Sequence, residues 1–470
     1  MRLSTKHENQ TQIIRADFSG GLNTSISADN IADNQLSLAV NVEIDHSTGR
    51  LKTVAGTTDI LKLNSDSANI VAAMYDEINY KLLLVREVEF SEKTFRAVSS
   101  FDLETYEISS ALGLLSGSLY PIYANWESGI LIATGGKLQY FNGQTLITIA
   151  DSPNATSVWT KAGRVFVTDE NNVICSGVGD EEHWTEDTGV DSSAKFIEVG
   201  YKDGGKLIGM VNLASNVLLV KDNRRVYSLN GEFPDWSISE VSRNVDVRGR
   251  MSTCAAADSV FILGREEVQA IQGTSAYGNM KPQDIAMLIT SKIRELEEDS
   301  FLRYVPKLNQ IWALSGEVVL IYDLVTQSWF KRQFNSPVVD VISAGDEVFV
   351  IKADRVSKLD ETTFSDSGET LSWEFKCKSH VSQHDYLLKH TQVSYIPQDT
   401  ELIKGKIFAG KVVVSLSLTE RGRGTRRPLL NGEILAQSFN VYRNKVLEIG
   451  GSGSTGGIIF NSIILDVVDV

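Results

Sequence analysis

Cysteine and proline are both scarce in this sequence. Its 470 residues include eight prolines and three widely spaced cysteines, Cys175, Cys254 and Cys377. A secreted scaffold held by disulfides would need more cysteines at closer spacing, so the sequence favours folding in a reducing compartment. No apolar run reaches the length of about 18 residues that a membrane helix needs, and we find no export signal. We therefore expect synthesis in the cytoplasm.

Positive charge is also in short supply. Lysine and arginine total 45 against 60 aspartates and glutamates, which gives a net charge of −15 and a pI near 5.0. A protein that wraps nucleic acid normally carries the opposite sign, at least over one patch. The balance argues against a firm grip on DNA, although a negative surface would let DNA slide past.

Signatures of catalysis and of cofactor binding are missing as well. The six histidines form no HExxH pattern, and the adjacent carboxylates Asp180 and Glu181 in "GVGDEEHW" are interpreted as a solvated loop. Gly451, Gly453 and Gly456 spell GxGxxG, but β-branched residues follow them instead of a helix, so we interpret them as a flexible connector between strands. The sequence predicts no enzyme, no cofactor and no metal site.

The chain instead repeats one pattern: an apolar strand, a short polar turn, and a strand of alternating apolar residues. Turns of two residues between such strands are typical of β-hairpins. The copies begin roughly 35 to 55 residues apart, as four-stranded propeller blades do. They occupy residues 79–110, 129–150, 163–184, 216–241, 259–273, 309–330 and 346–360.

These repeats predict an all-β protein with a β-propeller of about seven blades over residues 65–365. Radial packing of small sheets would bury both apolar faces of each sheet. A pair of stacked antiparallel sandwiches is the alternative. One segment breaks the pattern, because apolar residues at helical spacing in 282–304 predict an inserted helix of about 15 residues, capped by Asp284.

The two ends differ from the middle. We expect residues 1–15 to be a flexible N-terminus and residues 16–64 to be an extended arm that docks on neighbours. Residues 366–470 contain five or more alternating strands without the repeated pattern, so they predict a C-terminal β-sandwich. This sandwich includes the basic stretch "TERGRGTRRPLL", which we interpret as a hairpin tip.

The segment "DFSGGLNTSISADNIADNQLSLAVNVEIDHSTGRLKTVAGT" resembles the opening of a class of tailed-bacteriophage structural proteins. It has a Gly-Gly-Leu-Asn turn, a stretch ending in "DNQ", a strand with Asn41-Val42, and Gly-Arg-Leu before a further glycine. A propeller and a sandwich opening with "WEF" (residues 373–375) continue the likeness. Overall, the chain is most similar to the nozzle or hub proteins of short-tailed phages.

This resemblance implies a virion tail protein that forms a ring, usually of six copies, and continues the DNA ejection channel. Its expected partners are other copies of itself, the head-to-tail adaptor, and tail fibre, spike or plug proteins, with genomic DNA passing through. We place the subunit contacts in the N-terminal segment and the sandwich, at Asp17, Gly20, Gly21, Asn23, Asn41, Arg50, Arg421, Arg423, Arg426 and Arg427.

Two other classes of function stay open on the sequence. A carbohydrate-binding or adhesin propeller at the tail tip would need exposed aromatic residues for stacking on sugars. A hydrolase propeller would need a cluster of acid, base and nucleophile, for which Asp180 and Glu181 are the nearest candidates.

Overall fold

The protein is all-β. The computed structural model describes residues 10–64, 69–90, 93–169, 172–213, 216–231, 235–273, 280–398, 404–416, 434–438 and 443–469. Within these ranges the helical segments are a five-residue α-helix, Thr290–Arg294, and a 3-10 turn, Pro306–Leu308.

Seven antiparallel four-stranded units, here called sheets 1 to 7, follow one another along the chain. Each of the seven predicted hairpins falls in a different one of them. The strands are Ile70–Asp76, Lys81–Phe90, Lys93–Asp102 and Gly113–Leu114 in sheet 1; Ile122–Trp126, Gly129–Ala133, Gln139–Phe141 and Leu146–Thr148 in sheet 2; Ser157–Lys161, Arg164–Thr168, Asn172–Cys175 and Lys195–Glu198 in sheet 3; Leu207–Leu213, Asn216–Lys221, Val226–Asn230 and Ser237–Ser242 in sheet 4; Thr253–Ala256, Ser259–Leu263, Val268–Gly273 and Met280–Asp284 in sheet 5; Phe301–Val305, Gln310–Ser315, Val318–Asp323 and Ser328–Gln333 in sheet 6; Val338–Ala344, Glu347–Lys352, Arg355–Asp360 and Gly56–Lys62 in sheet 7.

A left-handed backbone position recurs at the turn from the first to the second strand of these sheets. A positive φ within a short turn matches the twist of the flanking strands. In six of the seven sheets the described residues place one there, at Tyr80, Glu127, Ala162, Ala257, Asn309 and Gly345. It is the last residue of a four-residue turn at Tyr80 and Asn309 and the first of a two-residue turn at the other four, so the left-handed residue is shared although the turn length and residue type vary.

Buried apolar clusters join each sheet to the next. Separate clusters link sheet 1 to 2, 2 to 3, 3 to 4, 4 to 5, 5 to 6 and 6 to 7. A further cluster joins the last sheet to the first, with Phe349 and Ile351 packed among Leu82, Leu84 and Phe101. Apolar burial at roughly 25 cal/mol per Å² makes these seven contacts the main stabilising force of this part of the chain.

Two short strands, Ser365–Asp366 and Glu369–Thr370, extend sheet 7 beyond Gly56–Lys62, and the other strands form a β-sandwich. Its first sheet contains Gln10–Arg15, Val42–Asp45, Arg50–Thr53, His380–Pro397, Ile434–Ser438, Arg443–Leu447 and Ile458–Asp469; its second contains Gly21–Leu22, Gln35–Val40, Trp373–Cys377, Lys404–Ala409, Val412–Leu416 and Ile449–Thr455. The ring of Phe460 in the first sheet lies 5.3 Å from that of Trp373 and 5.0 Å from that of Phe375 in the second. The second sheet continues into sheet 6, because Val40 pairs with Lys331.

The N-terminal segment differs from the predicted arm. Residues 10–15, predicted to be flexible, pair with the last strand over six register positions. Most of 16–64 is likewise built into the fold: Gly56–Lys62 is the fourth strand of sheet 7, and Gln35–Val40 pairs with Trp373–Cys377. The arm interpretation failed because a strand whose partner lies hundreds of residues away gives no local sign of pairing. Residues 1–9 lie outside the described part.

The predicted 15-residue helix is also wrong. Met280–Asp284 instead forms the fourth strand of sheet 5, paired with Val268–Gly273. The Asp284 carboxylate accepts a bond from the Ala286 N–H and so caps a turn. Edge pairing takes residues 282–284 of the helical pattern and a turn takes 285–289, so only five residues form the helix. Ile289, Ile293 and Leu296 are nevertheless buried, so these three apolar residues face the core.

A buried ion pair lies where the N-terminal strand closes sheet 7. Lys352 and Asp366 are 2.6 Å apart, and their side chains are 2% and 1% exposed. Asp366 also accepts bonds from the Thr57 hydroxyl and the Asn335 N–H. Burial opposes ionisation of this carboxyl, but the bonds from Lys352, Asn335 and Thr57 outweigh it and lower the pKa of Asp366.

Candidate functional site: the N-terminal segment and its surroundings

Asn41 lies at the seam between sheet 6 and the sandwich. Its φ of 54° interrupts the extended backbone, so the strand Gln35–Val40 ends here and the chain changes direction before the strand Val42–Asp45. Its side-chain amide donates to the carbonyls of Gln333 (3.2 Å) and Ser372 (2.6 Å) and accepts the N–H of Gln333 at 2.8 Å. Asparagine suits this position because it tolerates the left-handed region better than other residues with a side chain.

Gly21 and Asn23 are likewise used inside the chain. Gly21 has a φ of +60°, and a Cβ there would lie 2.6 Å from the Cβ of Ser328 and 2.8 Å from the Trp329 carbonyl oxygen. Asn23 is buried, donates to Gln35 at 2.8 Å and accepts from Ser25. The conformations and bonds of Gly21, Asn23 and Asn41 thus serve the fold of one chain, and their contact with another subunit stays a prediction.

The other predicted contact residues have different surroundings. Asp17 is exposed and accepts the Ser19 N–H, while Gly20 and Arg50 are half-buried. For these three, contact with another subunit stays a prediction. Arg421, Arg423, Arg426 and Arg427 lie outside the described residues.

An exposed apolar patch lies beside this segment. Ile26, Met287 and Leu288 are 50%, 66% and 39% exposed. The Thr24 N–H donates to the Leu288 carbonyl at 2.8 Å, so the loop after Asn23 and the turn before the short helix lie together. We call Ile26, Met287 and Leu288 the 26/287 patch.

A polar network lies on the first strands of sheets 6 and 7. Arg303 donates to both oxygens of Asp340, at 2.8 and 3.1 Å, and the Tyr120 hydroxyl donates to Asp340 at 2.7 Å. Burial opposes the charge on Arg303, but Asp340 outweighs it and raises the pKa of the guanidinium. Burial, followed by the charge of Asp340, raises the pKa of the Tyr120 phenol well above its ordinary value.

Sequence reasoning did not find this network. The available signal was a charged residue inside each of two apolar strands, "FLRYV" and "VVDVISA". Charges buried in strands are normally paired. A bidentate arginine–carboxylate bond is geometrically specific, so the network fixes how sheets 6 and 7 meet.

In the acidic loop 177–184, His183 lies 3.3 Å from the Asp187 carboxylate, while Asp180 and Glu181 make other contacts. Asp180 accepts the N–H groups of Glu182 and His183, and Glu181 accepts the indole N–H of Trp126 at 3.2 Å. Each carboxylate is thus engaged in local structure. Among the described residues, no group of three or more histidine, cysteine or acidic side chains could hold a metal ion.

The GxGxxG stretch is a strand instead of a flexible connector. Ile449–Thr455 lies between Trp373–Cys377 and Lys404–Ala409. A Cβ on Gly451 would lie 2.4 Å from Ile407 Cδ1 and 2.8 Å from Phe375 Cε1. Glycine is therefore needed there because the core side chains of the neighbouring strands occupy the space.

Comparisons with known proteins add little information about the function of this chain. No protein-family profile matches the sequence, and no curated protein matches it. Among solved structures, the chain is similar to the extracellular domain of a one-component system from B. thetaiotaomicron, with 12% identity and a TM-score of 0.45. The alignment covers 89% of this chain but only 63% of that one. This likeness is too weak to assign a fold family or a function. Separately, among the described residues no helix has the length and apolar character needed to span a bilayer.

Proposed function

We propose that sheets 1 to 7 form a seven-bladed β-propeller and that the protein is a structural subunit of a phage tail nozzle or hub. In this proposal about six copies form a ring that continues the DNA ejection channel and docks neighbouring tail proteins in the virion. The protein acts as a scaffold and catalyses no reaction.

One observation carries this proposal. The segment that resembles the phage proteins, residues 17–57, is also the segment that joins the two parts of the chain. Asn41 bonds to both Gln333 of sheet 6 and Ser372 at the entrance to the sandwich. The chain that leaves this segment then forms the fourth strand of sheet 7, which begins at Gly56. A scaffold between neighbouring proteins needs its two parts, here the seven sheets and the sandwich, to be fixed to each other. This segment fixes them because it bonds to both.

The chemistry of the chain is compatible with a passive conduit. The net charge of −15 disfavours retention of DNA, since like charges repel and no counterions are released on contact. In the described part, the charges of Arg303 and Asp340 are partnered with each other and with Tyr120 inside the chain.

The 26/287 patch is the best candidate for the contact between subunits, and we propose a second copy of this chain as its occupant. It presents three exposed apolar side chains, of which Ile26 lies on the segment that bears the resemblance. Closed rings need a head-to-tail contact, so the patch would meet a different surface of the neighbouring copy.

The decisive experiment is the solution mass of the full chain, alone and with the portal–adaptor complex of its phage. A ring of six would have a mass of about 310 kDa, against 51.8 kDa for one subunit. The double variant Ile26→Asp, Met287→Asp should abolish the ring. Val325→Asp is the matched control, because Val325 is 59% exposed but lies on another turn.

Two results would overturn the proposal. A strict monomer under both conditions would exclude the ring. A ring that survives in the double variant as it does in the control would place the contact elsewhere than the 26/287 patch.

The tail-tip adhesin is the second candidate. Phe196 and Tyr201 are 56% and 69% exposed on neighbouring strands and loops of sheets 3 and 4, as sugar stacking would need. The tryptophans speak against it, since five are buried and the other two, Trp184 and Trp236, are half-buried. Binding on a glycan array that is lost in Tyr201→Ala would favour this candidate over the nozzle.

A further inference from the structure

An apolar surface lies at the outer end of the space between sheets 2 and 3. Two rows of register partners face each other across this space: Leu131, Tyr140 and Ile147 in sheet 2, and Val167, Ile174 and Phe196 in sheet 3. The inner members of both rows pack in the cluster that joins the two sheets. The outermost members, Ile147 and Phe196, are 46% and 56% exposed. Together with the half-buried Trp184, which packs on the same cluster, we call them the 147/196 patch.

The space between sheets 3 and 4 ends differently. Its corresponding outermost residues are Lys195 and Glu240, the register partners of Cys175 and Tyr227. Charged side chains suit an outer strand that faces water, because they oppose unwanted pairing at the edge. Two large apolar side chains exposed side by side are instead typical of a surface that another protein covers.

The surroundings of the 147/196 patch are acidic. Residues 151–200 include ten aspartates and glutamates against three lysines and arginines. Glu198 follows Phe196 by two residues and so shares its face of the strand Lys195–Glu198, while Glu182 precedes Trp184 by two residues in the loop. Both carboxylates are exposed. A partner for this surface should therefore combine apolar side chains with positive charge.

One segment of this same chain has that composition. Residues 419–430, "TERGRGTRRPLL", contain four arginines, of which two come directly before Pro428, Leu429 and Leu430. The segment lies outside the described residues, between the strands Val412–Leu416 and Ile434–Ser438. About eight residues from either strand can span at most about 28 Å, which is enough to reach another subunit.

The strand that anchors this segment lies far from the 147/196 patch of its own chain. The outermost strand of sheet 6, Ser328–Gln333, continues into the second sheet of the sandwich, which ends at Val412–Leu416. That end is five strand spacings, or about 24 Å, beyond sheet 6. Sheets 2 and 3 are each three sheets away from sheet 6 along the circuit of apolar clusters. The two surfaces thus lie on opposite sides of a subunit, as a head-to-tail contact needs.

We propose that the 147/196 patch binds residues 419–430 of a neighbouring copy. In this contact the arginines of the segment face Glu182 and Glu198, and its leucines pack on Phe196. The inference rests on the proposed ring and supplies a second part of its contact. The 26/287 patch lies on the sandwich side of the same subunit, because Ile26 comes between two strands of the sandwich.

The first test is the solution mass of full-length variants. Phe196→Asp should convert the ring to single subunits, and so should the pair Arg426→Glu, Arg427→Glu. Adding Glu182→Arg and Glu198→Arg to the arginine pair should restore the ring, because the reversed charges attract again. A ring that survives Phe196→Asp, or one that the reversed charges fail to restore, would overturn the proposal.

Leu114→Asp is the matched control. Leu114 is 49% exposed on the outermost strand of sheet 1, so its substitution places the same charge on a comparable strand away from the 147/196 patch. The ring should persist in this variant. Loss of the ring in Leu114→Asp as in Phe196→Asp would show that the effect is not specific to the patch and would also overturn the proposal.

A second measurement separates this inference from the ring itself. A fluorescent peptide with the sequence of residues 419–430 is titrated into the full-length Arg426→Glu, Arg427→Glu variant, whose own segment does not compete. We expect binding that Phe196→Asp weakens at least about tenfold and that added salt also weakens. If the unsubstituted protein forms no ring but the peptide binds in this way, the assembly is refuted and the docking site stands. A peptide that does not bind, or that binds equally to Phe196→Asp, would refute the docking site.

Discussion

The seam residue Asn41 gives the sharpest prediction on stability. Asn41→Gly keeps the left-handed backbone but removes three side-chain hydrogen bonds, to two carbonyls and from one N–H. At about 1 kcal/mol per bond the loss is about 3 kcal/mol, and relief of the positive φ returns up to about 1 kcal/mol. We therefore expect a net destabilisation of about 2–3 kcal/mol.

The measurement is thermal unfolding by near-UV circular dichroism, compared with Asn309→Gly. Asn309 has a similar φ of 52°, but its side chain makes no hydrogen bond within the described residues. A loss of 2–3 kcal/mol should lower the midpoint of the affected module by about 5–10 °C, whereas Asn309→Gly should change it by no more than about 2 °C. Equal shifts in the two variants would refute the reasoning, since they would show that backbone conformation alone matters at Asn41.

Three further predictions follow from buried groups. Lys352→Met should lower the free energy of unfolding, measured in urea, by about 3–5 kcal/mol, because it leaves the buried Asp366 carboxylate without its partner. The control Lys292→Met, which removes one partner of an exposed ion pair, should lower it by less than about 1 kcal/mol. The pKa of Asp366 is lower in the folded state than its unfolded value of about 3.9, so the ionised carboxylate stabilises the fold fully above that pH and loses this effect as the pH falls below it. When the free energy of unfolding is measured against pH, Asp366→Asn should therefore show a smaller decrease below a pH of about 3.9 than the unsubstituted protein. Burial raises the pKa of Cys377 to about 12, so a thiol reagent at pH 8 should label this cysteine only after unfolding.

The local parts of the fold could be read from the sequence. Apolar alternation and polar turns identified hairpins such as 316–334, and each lies in its own four-stranded sheet. The shared left-handed turn could not be found, because tyrosine, glutamate, alanine and asparagine occupy it as well as glycine. Residue type reveals such a turn only when glycine or asparagine is used.

The long-range pairings were beyond sequence reasoning. Nothing in "GTTDILK" shows that it pairs with Arg355–Asp360, since period-two alternation specifies a strand but not its partner. For the same reason the burial of Gly21, Asn23 and Asn41 is not visible in the local sequence. The charges of Arg303 and Asp340 were visible in their strands, although their pairing was not.

The closure of sheet 7 by Gly56–Lys62 has a consequence for how the chain matures in the cell. The ribosome makes this strand early, yet its partner Arg355–Asp360 emerges roughly 300 residues later, or roughly 15–60 s at about 5–20 residues per second. Throughout that interval this strand has no neighbour, and its edge can pair with other nascent chains. Slow translation or crowded polysomes should therefore harm the yield of this protein more than that of one whose strands pair in order of synthesis.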